Sequence, residues 1–404
     1  MQKAFKYRIY PNKLQQDFLA QQFGATRFVF NYFLNQRKNE YLTSKTSLNY
    51  YDNAKSLTEL KQQDGYDWLY DINAQTLQAS LRNLETAYTN FFQKRTKFPN
   101  FKKRSNKQCI KIPQAFRIEN NHLWIPKLKS GIRLVQHRPT AGKIICLFIS
   151  KTATEKYFVS ILCEIDDAKP LPKTNKQIGI DLGLTNLLTT SDNEIIANPR
   201  NRKRLQKKLA YKQKQLSKKQ KGSNNRNKSR IEVAKIHEQI ANSRLDYLHK
   251  ISNRLVSENQ TIITETLSVA NMMKNHKLAG AISDASWSEL LRQLKYKSEW
   301  YGRTFSQIDR FFPSSKTCNG CQFVLETLSL SIREWECPNC KQHNKRDHNA
   351  AKNILDIGLK NLSGIGMLPD IKQKLVEALI PADGIVSVGK SSRRNKKPLP
   401  LWQG

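Results

Sequence analysis

Four cysteines and three carboxylates carry the chemistry of this sequence. Cys318-x-x-Cys321 is followed by fifteen residues and then by Cys337-x-x-Cys340. A two-residue gap lets each pair turn tightly enough to aim both sulfurs at one ion. A hairpin between the pairs then brings them together as a tetrahedral four-thiolate site. Four protein ligands leave no open position, so the expected Zn2+ is structural rather than catalytic. Two pairs at this separation also disfavour a redox role for either one. Cys109, Cys146 and Cys163 lie in β-rich apolar runs and are expected as buried small hydrophobes. An odd total of seven cysteines, with no apolar leader in MQKAFKYRIYPNK, fits reduced thiols and metal ligands rather than a disulfide framework.

The carboxylates stand out because the chain is poor in acid: 69 Lys and Arg oppose 33 Asp and Glu, a net +36 over 404 residues. Asp181 ends the apolar strand QIGI, and Glu265 ends TIIT. Asp347 lies in KRDHNAAKNIL, where the small residues Ala350 and Ala351 begin a helix. An ionised carboxylate at the end of an apolar strand is costly unless it is paired or binds a metal. Three from distant segments are expected to converge on Mg2+, which takes oxygen ligands and keeps waters. Two such ions roughly 3.5–4 Å apart activate an attacking water and stabilise the leaving oxygen of a phosphodiester. In this reading Asp181 bridges the ions, while Glu265 and Asp347 each complete one shell. The ordinary alternative for an isolated Asp after a strand is a turn former or helix cap. His343 and His348 are expected as solvated loop residues.

A charge of this size repels itself unless a polyanion neutralises it, which makes nucleic acid the leading partner and an acidic membrane surface the competitor. The longest apolar run, Ile144 to Ile149, is far short of the roughly 20 residues that a spanning helix needs, so secretion and membrane insertion are not expected. Between Arg200 and Arg230 there are fourteen Lys or Arg and no acid. Arg200, Arg202, Lys203, Arg204, Lys207, Lys208, Lys212 and Lys214 are the candidate phosphate contacts. The alternative for this run is a solvated helix face.

These residues need a scaffold. Lys3 to Ile9 alternates around Phe5, Tyr7 and Ile9 as a strand. A helix is expected from Asn12, carrying Leu14, Phe18 and Leu19 and ending at Gly24, with a second from about Thr26. A third spans Ala74 to Phe92, with Leu77, Leu81, Leu84, Tyr88 and Phe91 on one face. From about 106 to 166 the runs CIKI, HLWI, GIRLV, KIICLFIS and KYFVSILCEI read as a small antiparallel barrel or sandwich. The stretch from Lys169 to Lys176 reads as a linker. QIGIDLG, LLTT, EIIA, TIITE and FSQID are the strands of an α/β unit. A long helical hairpin with one basic arm and the amphipathic helix Ser286 to Tyr301 lie between them. Beyond Gly364 periodicity is lost, and the last fifteen residues read as a disordered basic tail.

The motifs GIDLGLTN, ITETL, SWSELLRQLKYKSEWYGR, FFPSSKTCNGC and RDHNAAKNIL resemble the TnpB (OrfB) family of insertion-sequence proteins, which are RNA-guided nucleases related to type V CRISPR effectors. KYRIYPNKLQQ with FGATRFVFNYFLNQRK, KFPNFKK and QHRPTAGKI extend the resemblance over about residues 1 to 360, in family order. The resemblance implies a multidomain α+β chain. Its parts would be an RNase H-like (RuvC) α/β nuclease domain with an inserted zinc ribbon, and an N-terminal wedge β-barrel with a helical recognition insert.

The bounds implied are 1–12 and 98–170 for the barrel and 13–97 for the insert. They are 173–310 and 343–370 for the nuclease domain, with its basic hairpin at 199–258, then 311–342 for the ribbon and 371–404 for the tail. Asp181, Glu265 and Asp347 would fall in the first, second and third nuclease motifs. Cys318, Cys321, Cys337 and Cys340 match the zinc ligands. Two catalytic Mg2+ ions and one structural Zn2+ are the implied cofactors. The implied partners are a guide RNA from the element's end, double-stranded target DNA beside a short flanking motif, and an element-encoded transposase. The implied setting is the prokaryotic cytoplasm, on the nucleoid when DNA is bound.

The chain departs from the family at Lys345, where an Asp is usual, and at Gln322 and Lys341, where glycine commonly follows each cysteine pair. The competing functions are a non-cleaving RNA-guided binder and a DNA-binding accessory to a separate transposase.

Overall fold

The alternation that starts at Phe5 seeds the first core: strand β1 (Gln2–Tyr10) buries Phe5, Tyr7 and Ile9. The computed structural model describes residues 1–105 and 107–364, so the expected tail at 371–404 lies outside the described residues. Strand β1 is central in a seven-stranded antiparallel sheet. The others are β2 (Gln108–Ile112), β3 (Arg117–Glu119), β4 (His122–Trp124), β5 (Ile132–Val135), β6 (Lys143–Lys151) and β7 (Tyr157–Glu164). The order is β2-β6-β7-β1-β5-β4-β3. Ile110 of β2 and Leu123 of β4 share one core with Tyr7, Leu147 and Ile161, so the sheet curls around a single apolar interior. Cys146 and Cys163 are buried, but Cys109 is exposed. On the edge strand β2 the inward positions are Ile110 and Ile112, and period-2 alternation turns Cys109 outward.

The helical segment differs from expectation at its start. Residues Lys13–Ser44 form one helix, α1, with Asn12 and Gln15 making a capping box, and no break at Gly24. Leu19, Phe23, Phe30, Phe33 and Leu34 carry the buried stripe across the glycine, and that burial outweighs a glycine penalty of about 1 kcal/mol. Leu14 faces solvent. Helix α2 (Tyr50–Gln62) and a 3-10 turn at Asp67–Asp71 follow, neither of which the pattern announced. Helix α3 spans Ala74–Phe92 as expected, with Leu77, Leu81 and Leu84 fully buried against α1.

The second sheet holds β8 (Gln177–Leu182), β9 (Asn186–Thr190), β10 (Ile195–Ala197), β11 (Thr261–Thr264) and β12 (Thr304–Gln307) in the order β10-β9-β8-β11-β12. Strands β8 to β10 form an antiparallel meander, while β11 runs parallel to both β8 and β12. Helices α4 (Asn201–Ser217) and α5 (Asn224–Glu258) lead from β10 to β11. Helices α6 (Val269–Met272), α7 (His276–Ala285) and α8 (Trp287–Tyr301) lead from β11 to β12. A hairpin of β13 (Glu334–Glu336) and β14 (His343–Lys345) then enters α9 (Arg346–Leu362).

Both faces of this sheet are covered. On one face Ile178, Ile180, Leu182 and Ile262 join Leu248, Ile251 and Leu255 of α5 and Leu290 and Leu294 of α8. Ile263 meets Ile354 of α9 on the other. Among the described residues no helix is long and apolar enough to cross a membrane.

Candidate active site and metal centre

Strand periodicity sorts the candidate carboxylates onto the α9 face. With Ile178, Ile180 and Leu182 packed toward α5 and α8, Gly179 and Asp181 point the opposite way. The parallel register pairs Ile263 with Gly179 and Thr264 with Ile180, so Glu265 emerges beside Asp181 at the same end of the sheet. The Leu182 amide donates to Glu265 Oε1 at 3.3 Å, and Gln307 Nε2 donates to the Glu265 carbonyl at 3.2 Å. Helix α9 lies directly on the strand. A Cβ on Gly179 would collide with the Ala351 carbonyl, and one on Gly358 would collide with Ile263. Glycine is required at both positions for this close approach. Asp347 sits in the first turn of α9, one turn before Ala351, where the helix dipole favours a carboxylate.

The three carboxylates influence one another. Desolvation raises Asp181 well above the ordinary carboxylate range, and the charges of Glu265 and Asp347 push it further. The nearby Arg346 and Arg333 act against this. Desolvation pushes Glu265 up to about 7. Asp347 Oδ1 also lies 3.5 Å from Arg333 Nη1. The carboxylate oxygens are more widely spread than the cysteine sulfurs: among the described residues the cysteines form the set of ligand atoms lying within 4.8 Å of one another. The site's donor chemistry still fits a hard divalent cation, because oxygen ligands that repel each other in a desolvated cleft are stabilised by one.

His348 corrects its expected role. It is not a solvated loop residue: it lies in α9, and its Nε2 is 3.0 Å from the Ser191 carbonyl, which ties the helix to the β9–β10 turn. His343 is exposed in β14, 3.8 Å from Glu334. Lys345 is exposed immediately before α9.

The cysteines form two facing knuckles. Cys318 and Cys340 sulfurs are 3.6 Å apart, and those of Cys321 and Cys337 are 3.5 Å apart. Tetrahedral coordination at a Zn–S distance of about 2.3 Å places sulfurs about 3.8 Å apart, so the geometry fits zinc. A hydrogen bond from the Asn339 side chain holds the Cys321 thiol down at about 6, toward the thiolate that a metal needs. In each knuckle an amide returns to the first cysteine's carbonyl: Gln322 N–H to Cys318 O and Lys341 N–H to Cys337 O, both 2.9 Å. The residues standing where the family commonly has glycine, Gln322 and Lys341, adopt φ of 64° and 61°. The apolar cluster here is small, with Trp335, Leu325 and Leu328 against the cysteines, so the ion would carry much of the local stability.

Residues that sequence reasoning passed over join the two centres. Asn349 Nδ2 donates to Thr317 O at 2.7 Å, and Asn353 Nδ2 donates to Ser314 O at 2.8 Å and Thr317 O at 2.7 Å. Arg346 Nη1 donates to Ser329 O at 2.7 Å. The i, i+4 spacing of Asn349 and Asn353 was the available signal. Nothing in the spacing marks Arg333.

The basic candidates lie on and around α4. Arg202, Lys203, Arg204, Lys207, Lys208 and Lys214 are exposed, as is Arg200 just before the helix. Lys212 differs. Leu205, Leu209 and Leu216 make the stripe that packs on Val233, Ile236 and Ile240 of α5, and Lys212 falls on that same stripe. Its Nζ lies 3.9 Å from Glu232. The first turn of α4 is capped from outside, by Asp284 of α7, whose carboxylate accepts the Arg202 amide at 2.9 Å.

Three family profiles match in succession. One described as a helix-turn-helix domain (OrfB of IS605) covers residues 1–46, one described as "Probable transposase" (OrfB of IS605) covers 160–276, and a Cas12f1-like TNB domain covers 287–354. In this structure residues 13–44 of the first are one uninterrupted helix. A Streptomyces pristinaespiralis protein named "Putative RNA-guided DNA endonuclease" is 41% identical, over 91% of this chain and 92% of its own length. Escherichia coli "Putative RNA-guided DNA endonuclease InsQ" is 33% identical, over 88% and 92%. The fold is similar to that of Cas12f1 in a complex with sgRNA and target DNA, with a TM-score of 0.51 at 12% identity, covering 88% of this chain and 98% of the other. It is likewise similar to the mini-RNA-guided endonuclease Cas_phi3, with a TM-score of 0.50 at 10% identity, covering 89% and 92%. The chain therefore belongs to the TnpB (OrfB) family of insertion-sequence proteins.

Proposed function

We propose that this chain is an RNA-guided DNA endonuclease that hydrolyses phosphodiesters at Asp181, Glu265 and Asp347. The observation that carries the reading is the convergence of these three carboxylates from β8, the end of β11 and the first turn of α9, with Glu265 and Asp347 both raising the pKa of Asp181. The names of the relatives agree with it.

We read the five-stranded sheet with α5, α8 and α9 as the RNase H-like (RuvC) domain, 173–310 and 343–370, of which residues 365–370 lie outside the described residues. The curled sheet, 1–12 and 98–170, is read as the wedge, 13–97 as the recognition insert, and 311–342 as a zinc ribbon. Magnesium, held by Asp181, Glu265 and Asp347, would supply the polarisation of water and phosphate. The chain's own residues do the positioning. Leu182 N–H and Gln307 hold Glu265, the first turn of α9 carries Asp347, and Arg333 restrains that carboxylate. Zinc at Cys318, Cys321, Cys337 and Cys340 would close the ribbon. Arg200, Arg202, Lys203, Arg204, Lys207, Lys208 and Lys214 are read as phosphate contacts that grip without reading sequence, which is left to base pairing.

The test begins with sequencing the RNA that co-purifies with the protein. Reconstituted with that RNA, the chain is expected to cut matching plasmid DNA in Mg2+ and to lose cutting on Asp181→Ala. Equal cutting without RNA, or by the Ala variant, would overturn the reading.

A further inference from the structure

A second acid-free stretch lies outside the nuclease sheet. No Asp or Glu occurs between Glu85 and Glu119, and seven Lys or Arg fall between 94 and 107. Among the described residues none of those seven forms an ion pair. Aromatic rings are interleaved with them and are left open to solvent: Phe92 is 67% exposed, Phe98 41% and Phe101 48%.

The rings are held rather than loose. Phe98 stands edge-on to Tyr88 at 5.7 Å and to Phe91 at 5.3 Å, and Phe92 lies nearly parallel to Tyr88 at 6.2 Å. The backbone is fixed at both ends of the loop. The amides of Arg95 and Thr96 bond to the Asn90 carbonyl at the end of α3. Asn31 of α1 both accepts from the Lys102 amide at 2.7 Å and donates to its carbonyl at 2.9 Å.

Exposed rings in a segment whose cations have no ion-pair partner, on a backbone tied at both ends, fit a ligand that offers both phosphates and flat apolar faces. A duplex supplies phosphates, but its base faces are already stacked. Only unpaired nucleotides gain from the rings. Seven unneutralised cations argue against an apolar protein partner. We propose that Phe92 and Phe98, with the Lys and Arg of the same segment, form a stacking platform for an unpaired stretch of nucleic acid. The site uses none of the carboxylates and none of the α4 arm. It rests on the nucleic-acid-binding part of the function above, but not on cleavage.

The test is binding by the full chain, read by fluorescence polarisation, with oligothymidylate and with a blunt duplex of equal charge. Phe92→Leu/Phe98→Leu keeps apolar bulk and removes the ring faces. It is expected to weaken single-strand binding about tenfold with duplex binding unchanged, and Phe92→Tyr/Phe98→Tyr is expected to restore it. The slope of log affinity against log salt should not change, since no phosphate contact is removed. Photocrosslinking with 5-iodouracil in the oligothymidylate should give adducts on Phe92 or Phe98. No loss of single-strand affinity, an equal loss on the duplex, or adducts confined to other segments would overturn the proposal. Asp181→Ala should leave this binding intact, so a failure of the platform and a failure of the nuclease assignment are read separately.

Discussion

The backbone amide of Asn319, one residue into the first cysteine knuckle, donates to Asn349 Oδ1 at 2.9 Å, and Asn349 lies two residues beyond Asp347 in α9. The same asparagine donates to Thr317 O at 2.7 Å, and Asn319 Nδ2 reaches Asn353 Oδ1 at 3.2 Å and Asp356 at 2.7 Å. A two-cysteine knuckle and the helix that carries a candidate metal ligand are thus one hydrogen-bonded unit. Asn349→Ala leaves the Asn319 amide without its side-chain acceptor, while the Thr317 carbonyl keeps Asn353 Nδ2 as a donor. The expected cost is about 1–2 kcal/mol in urea unfolding. Hydrogen exchange should rise at both the knuckle and the first turn of α9. Faster exchange at only one of the two would mean that they are not coupled.

Removal of the thiolate site tests the same unit from the other side. Cys337→Ser is expected to reduce bound zinc from about one per chain to near zero. With so few apolar residues packed around the cysteines, Trp335 should become solvent-exposed, seen as a red-shifted emission, while the curled N-terminal sheet stays folded. Unchanged tryptophan emission with zinc lost would show that packing alone maintains the segment around the cysteines.

The raised carboxylates give stability a direction with pH. In the folded chain Glu265 titrates at about 7, against an ordinary value of 4.5. Below 4.5 both folded and unfolded states hold the proton. Between 4.5 and about 7 the unfolded state releases it while the folded state keeps it, so stability falls as pH rises through that window. Glu265→Gln removes the effect. In magnesium-free buffer the variant should match the wild type near pH 4.5 and exceed it by about 2–3 kcal/mol near pH 7.5, measured by urea midpoints. Added Mg2+ should narrow the gap by stabilising the wild type. A constant difference across pH would remove Glu265 as the responsible group.

Much of this was legible because it rests on short-range rules. Strands QIGI and TIIT were legible because a strand covered on both faces reads as a short continuous apolar run, and the first acid marks its end; α3 kept its expected bounds because its apolar stripe is regular. What failed involved competition at longer range. Gly24 did not stop α1, because buried residues on both sides outweigh a single glycine. Cys109 turned outward because an edge strand's parity is set by its pairing with β6. Lys212 looked like its neighbours in a run of cations, yet it occupies a leucine stripe that only the packing of α4 on α5 defines. The Arg333–Asp347 pair joins residues fourteen apart across a hairpin, which no local pattern encodes.

The knuckle positions Gln322 and Lys341 carry a left-handed backbone that costs a side chain about 1–2 kcal/mol. Glycine removes that strain but loses roughly 0.5–1 kcal/mol to the freer unfolded chain. A net gain of between zero and about 1.5 kcal/mol per site follows, and it appears only when the knuckle is closed. Zinc affinity, measured by competition with a chromophoric chelator, should therefore rank Lys341→Gly above wild type and Lys341→Val below it. A β-branched residue is the poorest fit to this conformation. If Val binds zinc as tightly as Gly, the φ of 61° at Lys341 is not what limits closure.

The basic arm makes a prediction in which one lysine is the internal control. Lys203, Lys207 and Lys214 recur at helical spacing on an exposed face of α4, away from the leucine stripe. If each neutralises one phosphate, changing all three to Gln should reduce the slope of log affinity for duplex DNA against log salt by about 2.7, from a factor of about 0.9 per contact. Lys212 faces Glu232 on α5 and is already paired, so Lys212→Gln should barely move the slope. It should instead act on the hairpin itself, by no more than the few tenths of a kcal/mol that a half-exposed ion pair contributes. Titrations at several KCl concentrations separate the two effects. An equal slope change from Lys212→Gln alone would mean that the α4–α5 contact opens when nucleic acid binds, and that the stripe holding Lys212 is not fixed in the complex.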